Sequence, residues 1–427
     1  MENKLRQIFG DKLKKISDVA DVVCGPFGSA IKNTDYQESG IPLVRITNIS
    51  KDGYMNYDDL IFVSEELGNS LSRTQVSSGD IVVSQRGSLG QCAIVDEAFP
   101  KMNISANIIA IKNLCGVSAT FLHDYFLSTV GQTLLERSVS GQVQQKITTQ
   151  DIADLLIPTD TEEERLTSLI NKAYESYKSK LQKADELLTG MSSYILSTLN
   201  IPPIRFDSQL CCKIKVSDLI SDKTFSAEYY HPERMTAISN MKDACGSNVR
   251  KLINIVDFRR DIISCNESSL KYLGLAGVES HTGELSGVEE DAAGQAFKYE
   301  IGDVLYGRLR PYLNKVIRAE DSGICSTEFH VMRVKDHSIV LPEYIAAIMR
   351  SDLILSQTKH MMTGNTHPRI SNDDVQNLYV PVPDISIQRA IVNDLTERRR
   401  KARQLKQEAE REWAAAKAQF EKELLGE

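Results

Sequence analysis

The fold is decided by a sequence that occurs twice. Residues 141–158 read GQVQQKITTQDIADLLIP, and residues 364–381 read GNTHPRISNDDVQNLYVP. A glycine, a basic residue followed by isoleucine, an aspartate, a leucine and a proline occupy the same relative positions in both stretches. The offset from Gly141 to Gly364 is far longer than any solenoid unit, so it indicates duplicated domains rather than an array of short repeats.

The same offset extends toward the N-terminal side of both stretches. Ser78-Gly79-Asp80-Ile81-Val82 precedes Arg86 in the first half, and Ile301-Gly302-Asp303-Val304-Leu305 precedes Arg308 in the second. Each pattern is typical of a turn that feeds an apolar strand, with an arginine just beyond it. Apolar helical segments also repeat, as Phe121-Leu122 with Ser128 and as Tyr344-Ile345 with Ser351. The order of the matches never changes, which favours duplication over chance.

A long helical period follows each copy of the repeat. Behind Pro158 and behind Pro381, apolar residues fall three or four positions apart, which predicts a helix with one narrow apolar stripe. The stripes are Leu166, Ile170, Ala173, Tyr177, Ala184, Leu188, Met191 and Ile195 in the first helix and Ile391, Leu395, Ala402, Leu405, Ala409, Ala416 and Phe420 in the second. The first helix is predicted to end at Pro202-Pro203, because proline cannot continue a helix.

A stripe this narrow needs one helical partner, and the sequence predicts only two such helices. We therefore expect the two to pack as an antiparallel coiled coil, which gives the chain an approximate twofold axis. The alternative is that each helix only covers its own domain. The predicted fold class is α+β, with two mixed α/β domains that are each followed by a long helix. The boundaries are residues 1–160 and 202–383 for the domains and residues 161–201 and 384–427 for the helices.

Composition limits the class of protein. Of the 427 residues, 41% are hydrophobic and 25% are charged, which is the balance of a globular protein with buried cores. The sequence has no apolar run long enough to cross a bilayer and no signal-peptide pattern at its start, so we expect a cytoplasmic protein. The eight cysteines form no disulfide framework, and no metal-ligand spacing of Cys or His occurs. We therefore expect no metal and no cofactor.

The second half contains the most specific segments. Residues 302–316 read GDVLYGRLRPYLNKV, and residues 323–329 read GICSTEF. Together they closely resemble the target-recognition domain of type I restriction-modification specificity (S) subunits. The residues YLGL at 272–275, with Thr282-Gly283 after them, resemble the opening strand of that domain.

The first half is similar to the same family in FGSAI at 27–31, GIPLVRI at 40–46 and QRGSLG at 85–90. It lacks the R-x-R-P-Y pattern of the second half, which in turn lacks the Gly-Ile-Pro strand of the first. The resemblance spans nearly the whole chain and includes the order domain, helix, domain, helix. It implies that the two domains read different half-sites.

The resemblance also implies partners and a division of labour. Such a subunit binds double-stranded DNA, two methyltransferase subunits and, in the complete complex, restriction and translocation subunits, and it has no catalytic centre of its own. A formal net charge of −8 opposes a free-standing DNA binder, because neutralising phosphates requires a basic surface. The objection weakens if partner subunits grip the DNA backbone while this chain contacts the bases.

Two loops at matched positions carry side chains suited to reading bases. Arginine or lysine recognises guanine through two hydrogen bonds, and asparagine or glutamine recognises adenine. The first loop contains Gln142, Gln144, Gln145 and Lys146, and the second contains Asn365, Thr366, His367 and Arg369. Lys146 and Arg369 occupy the same relative position, which indicates a contact with a DNA phosphate. The other residues differ between the two loops, which indicates contacts that distinguish one base sequence from another. The alternative is that both are ordinary polar loops.

Polar residues beside predicted strands are the remaining candidates. They are Arg86, Arg308 and Arg310, with Arg45 and Asn48 behind the strand at Ile41-Pro42. The three arginines fit a DNA contact and an internal salt bridge equally well, while strand-end polar residues are usually solvated. The basic run at 398–403 is interpreted first as a solvated helix face and second as a contact with a partner or a phosphate. His330 and His360 are expected to be buried or surface histidines rather than site residues.

The sequence supports no enzyme class. It contains no G-x-x-x-x-G-K-[ST] loop to bind a nucleotide. Residues 200–204, NIPPI, lack the spacing and the aromatic residue that a DNA amino-methyltransferase motif requires. Two further hypotheses stay open: a specificity subunit of a related type II system that combines cleavage and methylation, and a coiled-coil adaptor that binds no DNA.

Overall fold

The chain forms two compact units in a computed structural model that describes residues 1–26, 30–50, 52–86, 90–138, 146–159, 161–206, 214–222, 225–265, 270–364 and 366–427. Unit 1 comprises residues 1–180 and 407–427, and unit 2 comprises residues 181–406. Each long helix contributes one segment to each unit. The finer boundaries between domains and helices stay a prediction.

Unit 1 is a mixed α/β domain. Its strands are β1 (Leu13–Lys15), β2 (Asp21–Cys24), β3 (Ile41–Val44), β4 (Ile61–Val63), β5 (Gln75–Val76), β6 (Ile81–Ser84), β7 (Cys92–Ile94), β8 (Met102–Ile104), β9 (Ile108–Lys112) and β10 (Leu156–Pro158). Its helices are α1 (Glu2–Phe9), α2 (Glu65–Ser70), α3 (Ala119–Leu127), α4 (Thr129–Ser138), α5 (Thr149–Ala153) and the first part of α6 (Glu163–Thr189). Runs of isoleucine and valine suit β6 and β9 to the buried middle of a sheet.

Unit 2 is built in the same way. Its strands are β11 (Val249–Lys251), β12 (Val256–Arg259), β13 (Ile262–Ser264), β14 (Tyr272–Leu273), β15 (Gln295–Tyr299), β16 (Val304–Gly307), β17 (Val316–Arg318), β18 (Gly323–Ser326), β19 (Phe329–Val334) and β20 (Tyr379–Pro381). Its helices are α7 (Met191–Thr198), α8 (Val216–Asp222), α9 (Pro232–Cys245), α10 (Pro342–Met349), α11 (Asp352–Thr358), α12 (Asn372–Gln376) and the first part of α13 (Ile385–Leu425).

The strand pairing confirms the duplication. One four-stranded sheet has the order β2-β9-β6-β7 in unit 1 and β12-β19-β16-β17 in unit 2, and every neighbouring pair in both is antiparallel. The two-stranded sheets β1-β10 and β11-β20 also correspond. The other four-stranded sheets share a parallel pair but differ at the edge, because β4 extends the sheet beyond β3 whereas β13 extends it beyond β15.

The constant offset holds where the sequences match most clearly. It relates β6 to β16, α5 to α12 and β10 to β20. Earlier in each copy it fails, because β2 and β12 are separated by a larger offset. The segment between β2 and β6 is therefore longer than its counterpart in unit 2, and sequence comparison at one fixed offset could not align the two.

In each copy a tyrosine hydroxyl, at a different position of the repeat, fixes a helix on the last strand. The hydroxyl of Tyr125 donates to the carbonyl of Leu156, and that of Tyr344 donates to the carbonyl of Pro381, both at 2.9 Å. Ser128 caps the corner after α3 by donating to the carbonyl of Tyr125. Ser351 caps the corner after α10 in the same way, so the repeated serines have a structural function.

The two long helices pack antiparallel inside unit 1, as predicted. Arg165 pairs with Glu423 at 2.8 Å, and the hydroxyl of Tyr177, further along α6, donates to Glu410 at 3.2 Å. Trp413, which the predicted stripe omitted, is 4% exposed, and its ring lies 5.9 Å from that of Tyr177. Among the described residues, no helix combines the length and the apolar character needed to span a membrane.

In unit 2, α7 continues the path of α6 after a single residue. Gly190 keeps a helical backbone, with φ −71° and ψ −3°. Helix α7 ends before the prolines that were predicted to stop it. Asn200 adopts the left-handed conformation, with φ 55°, and the N–H of Ile201 donates to the carbonyl of Leu196 at 2.8 Å. The helix is therefore closed by a Schellman motif, in which Asn200 is the left-handed residue after the C-cap Leu199, and the prolines only follow it.

A hairpin contacts the long helices in each unit, and we call this contact the helix joint. In unit 1, Gly53 has φ +93° and packs against Leu127, and the next residue, Tyr54, stacks on Tyr174 of α6 with ring centroids 3.4 Å apart. Its apolar neighbourhood is completed by Trp413, whose ring lies 5.8 Å from that of Tyr174.

The helix joint of unit 2 has the same geometry and a different chemistry. Gly283 has φ +72° and packs against Arg350, which the repeat aligns with Leu127. The next residue, Glu284, accepts a hydrogen bond from Nε of Arg403 on α13 at 2.9 Å and lies 3.8 Å from Nε of Arg399. The interpretation of the basic run as a solvated face is therefore wrong for the partly buried Arg399, whereas Arg403 is exposed and pairs with Glu284.

Candidate nucleic-acid interface

In unit 2, the predicted loop at 366–369 lies against the strand end at 308–310. The backbone N–H of Arg310 donates to the carbonyl of Pro368 at 2.7 Å. Arg310 itself has a left-handed backbone, with φ 48° and ψ 63°, which turns the chain sharply after β16. Two groups of candidates that are distant in sequence thus form one surface. We call residues 308–310 and 366–369 the unit 2 loop pair.

Arg369 is held inside this surface by an acid. Its Nε donates to both carboxylate oxygens of Glu328 at 3.0 Å, and its Nη2 donates to Oε1 at 2.7 Å. Its Nη1 donates to the carbonyl of His367 at 3.3 Å. The hydrogen bonds and the charge of Glu328 raise the pKa of the Arg369 guanidinium. Arg369 therefore orders its own loop, and it can grip a phosphate only by sharing its guanidinium with Glu328.

The other arginines of the unit 2 loop pair are available to a ligand. Arg310 is exposed and Arg308 is partly buried, and neither side chain has a hydrogen bond or ion pair with any residue that the structure describes. His330 lies on β19 opposite Tyr306 of β16, close enough to Arg308 to sense its charge, and is 5% exposed. Burial, together with the charges of Arg308 and Arg260, lowers the pKa of His330 to about 4. The imidazole is neutral at pH 7 as a result, and the patch above it is positive.

Unit 1 has the same backbone arrangement. The N–H of Ile147 donates to the carbonyl of Gln85 at 3.1 Å, as the N–H of Ile370 donates to that of Arg308 at 3.1 Å. Gln85, rather than Arg86, is therefore the equivalent of Arg308, which is the pairing that the constant offset of the repeat gives, and Arg86 lies one position further along. Gln85 is 4% exposed, so its side chain is part of the core and cannot reach a base.

Two predicted residues of unit 1 remain available at this surface. Arg86 is exposed and Lys146 is partly buried. Within the described part of the chain, neither side chain has an ion pair or a hydrogen bond. Their separation from acids fits a contact with an anionic ligand.

Two other candidates of unit 1 serve the fold instead. Asn48 is 0% exposed, and its amide accepts from the N–H of Arg45 at 2.9 Å and donates to the carbonyl of Asn56 at 3.0 Å. We therefore exclude Asn48 from the interface. Arg45 is partly buried and donates to the carbonyl of Asp59, so one side of its guanidinium holds the adjoining loop.

Four predicted site residues lie outside the residues that the structure describes. They are Gln142, Gln144, Gln145 and Asn365, and the quoted motif residues at 27–29 and 87–89 lie outside as well. Thr366 and His367 are described and exposed in the unit 2 loop pair. The cationic positions, by contrast, have a defined geometry.

Three functional neighbours were missing from the sequence prediction. The charges of Arg260 and Arg308 both lower the pKa of His330, and Glu328 holds Arg369 in place through an ion pair. Glu328 lies within the GICSTEF segment, so the resemblance already pointed to it. Arg260 lies on the loop after β12, where no motif distinguished it.

A group of possible metal ligands lies elsewhere in unit 2. Glu233 is 5% exposed and accepts hydrogen bonds from His360 at 2.8 Å and from Ser356 at 3.0 Å, with Lys359 at 2.7 Å. The rings of His231 and His360 are stacked with centroids 3.4 Å apart. Stacked rings direct their nitrogen lone pairs in parallel planes rather than toward one ion, and the carboxylate of Glu233 is already paired with Lys359. The group therefore fits an internal hydrogen-bond network better than a metal site.

Comparisons with known proteins agree on one family. Residues 288–411 match the model of the type I restriction modification DNA specificity domain, which confirms the resemblance over that stretch. The chain is 26% identical over 141 residues to the type I restriction enzyme EcoDI specificity subunit of Escherichia coli, covering 31% of each chain. It is 31% identical over 119 residues to the HindI specificity subunit of Haemophilus influenzae, covering 26% of each.

The matched stretches therefore span about a third or less of the length of these curated relatives. Among solved structures, the S subunit of a type I restriction-modification system from M. genitalium aligns with 96% of this chain and 95% of its own, at 14% identity and a TM-score of 0.45.

Proposed function

Starting from the type I restriction modification DNA specificity domain at residues 288–411, we propose that this chain is the DNA specificity subunit of a type I restriction-modification complex. It reads a bipartite, asymmetric DNA target and directs methyltransferase and restriction subunits to it. The observation that carries the proposal is the pair of equivalent loop surfaces with one backbone geometry and different side chains. Two such readers in one chain fit a target with two unlike halves.

Each unit supplies a different set of base-reading groups in this proposal. In unit 2, Arg308 and Arg310 offer guanidinium groups that no described residue pairs, and such groups suit guanine through two hydrogen bonds. Thr366 and His367 flank them, and Asn365 completes the set. In unit 1, Arg86 and Lys146 supply the positive charge.

The side-chain amides of unit 1 supply the hydrogen bonds that recognise adenine. They are Gln142, Gln144 and Gln145, which the sequence places directly before Lys146. Because these amides differ from the residues of the unit 2 loop pair, the two halves of the target differ as well.

The division of labour follows from charge. A chain with a formal net charge of −8 gains little from neutralising many phosphates by itself, so the methyltransferase subunits supply most of the backbone grip. This chain contributes base contacts from a small number of cations. We further propose that it has no catalytic centre, that it acts in the cytoplasm, and that its domains and long helices follow the boundaries drawn from the sequence.

The direct test is to map methylated adenines in DNA from cells that carry this chain with its methyltransferase. We expect a split motif that disappears when the chain is deleted. Exchanging residues 205–383 for the corresponding domain of a relative should alter one half of that motif only. If both halves change, or if methylation ignores sequence, the proposal is wrong.

A single substitution gives a sharper test. Arg310→Gln should relax one position in the unit 2 half of the motif and weaken binding about 5- to 150-fold, the equivalent of ~1–3 kcal/mol for a base contact. Arg250→Gln is the matched control, because Arg250 is also an exposed arginine of unit 2 but lies on β11. Equal effects of the two substitutions would argue for general charge rather than base reading.

A further inference from the structure

A cavity of about 180 Å³ lies inside unit 2, apart from the unit 2 loop pair. It is bounded by the end of α6, by α7, by the corner between α10 and α11, and by α13. Its polar lining includes Ser192, His281, Asn314, Arg350, Asp352 and Arg399. A cavity of this size holds a few water molecules or one small oxyanion, but it is too small to enclose the sugar and base of a nucleotide.

Arg399 faces this cavity without a close acceptor among the described residues. Its Nε lies 3.8 Å from Oε1 of Glu284, which is too far for a hydrogen bond, because Glu284 is engaged by Arg403. Nε and Nη2 of Arg399 are buried, and they have no hydrogen-bond partner in the part of the chain that the structure describes. A buried charged donor without an acceptor is costly, so the site is incomplete as it stands.

Arg350 adds a second positive charge to the same cavity. Its Nη1 donates to the carbonyl of Val316 at 3.1 Å. Burial lowers the pKa of Arg350 well below its ordinary value, and the charge of Arg399 lowers it further. Burial also lowers the pKa of Arg399. The acids that face these arginines are Glu284 and the exposed Asp352. When Arg403 is included, three guanidinium groups are balanced by only two carboxylates.

We propose that this cavity binds a small oxyanion of the phosphate type between the guanidinium groups of Arg350 and Arg399. The planar forks of arginine match the oxygens of phosphate, and charge-assisted hydrogen bonds would satisfy the buried nitrogens of Arg399. Ser192 accepts a hydrogen bond from the N–H of Asp352 at 2.9 Å, so its hydroxyl hydrogen is left to donate to the anion.

A bound oxyanion would link α13 to the corner between α10 and α11 and strengthen the helix joint of unit 2. The anion comes either from free phosphate or from a phosphate of the DNA backbone, and the chemistry of the site is the same for both. The inference concerns the charge balance of unit 2; binding of free phosphate does not rest on the proposed function, whereas binding of a DNA phosphate does.

The first experiment is thermal unfolding of the full chain in increasing inorganic phosphate, with chloride at matched ionic strength as reference. We expect the Tm to rise with phosphate and to follow the mass-action dependence of a ligand that binds the folded state. Arg399→Gln should abolish the rise. Arg389→Gln should preserve it, because Arg389 is an exposed arginine of α13 that does not line the cavity.

Two further measurements distinguish the sources of the anion and do not depend on stability. Broadening of the phosphorus-31 signal of inorganic phosphate by the wild type, and not by Arg399→Gln, identifies free phosphate. If the DNA backbone supplies the phosphate, Arg399→Gln should instead reduce the slope of log K against log salt by about one. The proposal is overturned if phosphate and chloride give one Tm, the signal stays sharp, and the salt slope of Arg399→Gln equals that of Arg389→Gln.

Discussion

The buried His330, which senses the charge of Arg308, leads to a quantitative prediction about pH. Burial and the charges of Arg308 and Arg260 lower the pKa of His330 from 6.5 to about 4. The unfolded chain therefore binds a proton in a pH range where the folded chain does not, so stability falls as the pH drops below about 6.5 and levels off near 4. At about 1.4 kcal/mol per pKa unit, the full loss is about 3 kcal/mol, of which about 2 kcal/mol is lost by pH 5.

The assay is urea unfolding of the wild type and of His330→Gln at pH 7.5 and at pH 5. Other groups also titrate in this range, so the relevant quantity is the difference between the two proteins in the pH dependence of the unfolding free energy. We expect the wild type to lose about 2 kcal/mol more than the variant. His337→Gln is the control, because His337 is an exposed histidine of the same unit.

The same physics can be checked without unfolding the chain. The imidazole resonance of His330 should titrate near pH 4, and Arg308→Gln should raise that midpoint because one neighbouring positive charge is removed. Equal pH dependence in the wild type and His330→Gln, or a midpoint at the ordinary value of 6.5, would refute the electrostatic description of the unit 2 loop pair.

Three predictions concern the helix joints, each read from urea unfolding followed by circular dichroism. Trp413→Ala removes a buried indole and should cost about 3–5 kcal/mol with no dependence on salt, so a strongly salt-dependent loss would contradict the apolar description. Glu284→Gln should cost about 1 kcal/mol at low salt and less at high salt, whereas Glu289→Gln, at an exposed position, should cost nothing measurable. Gly53→Ala places a Cβ 2.5 Å from Leu127 at φ +93° and should cost about 1–3 kcal/mol; an unchanged midpoint would show that the hairpin relaxes freely.

Much of the fold could be predicted from the sequence because it repeats. A constant offset identifies equivalent strands and helices whatever their individual propensities, and the antiparallel pairing of the long helices follows from their narrow stripes. The offset failed before β6, where unit 1 has the longer connecting segment. Trp413 was omitted from the stripe although it lies four residues after Ala409 and so fits the helical period.

The candidate site was less predictable, because it depends on contacts between distant segments. Sequence places Arg308 and Arg369 after different strands, and only the folded chain brings Glu328 to Arg369. Asn48 is of a residue type that can recognise adenine, yet its side-chain amide is already hydrogen-bonded to the backbone of Arg45 and Asn56. Periodicity assigns Arg399 to a helix face, but it cannot reveal that a hairpin from far upstream approaches that face.

The two helix joints also distinguish two units that share one fold, because their contacts with the long helices differ in chemistry. If Tyr54 took the place of Glu284, Arg399 and Arg403 would lose their counter-charge, and a carboxylate set against Trp413 would be desolvated with no donor. Each hairpin is thus compatible with one stretch of helix and penalised on the other. This difference disfavours packing of one duplicated domain against the helix segment of the other. A domain exchanged from a relative must therefore carry, at the position of Tyr54 or Glu284, a residue compatible with the helix segment that it contacts.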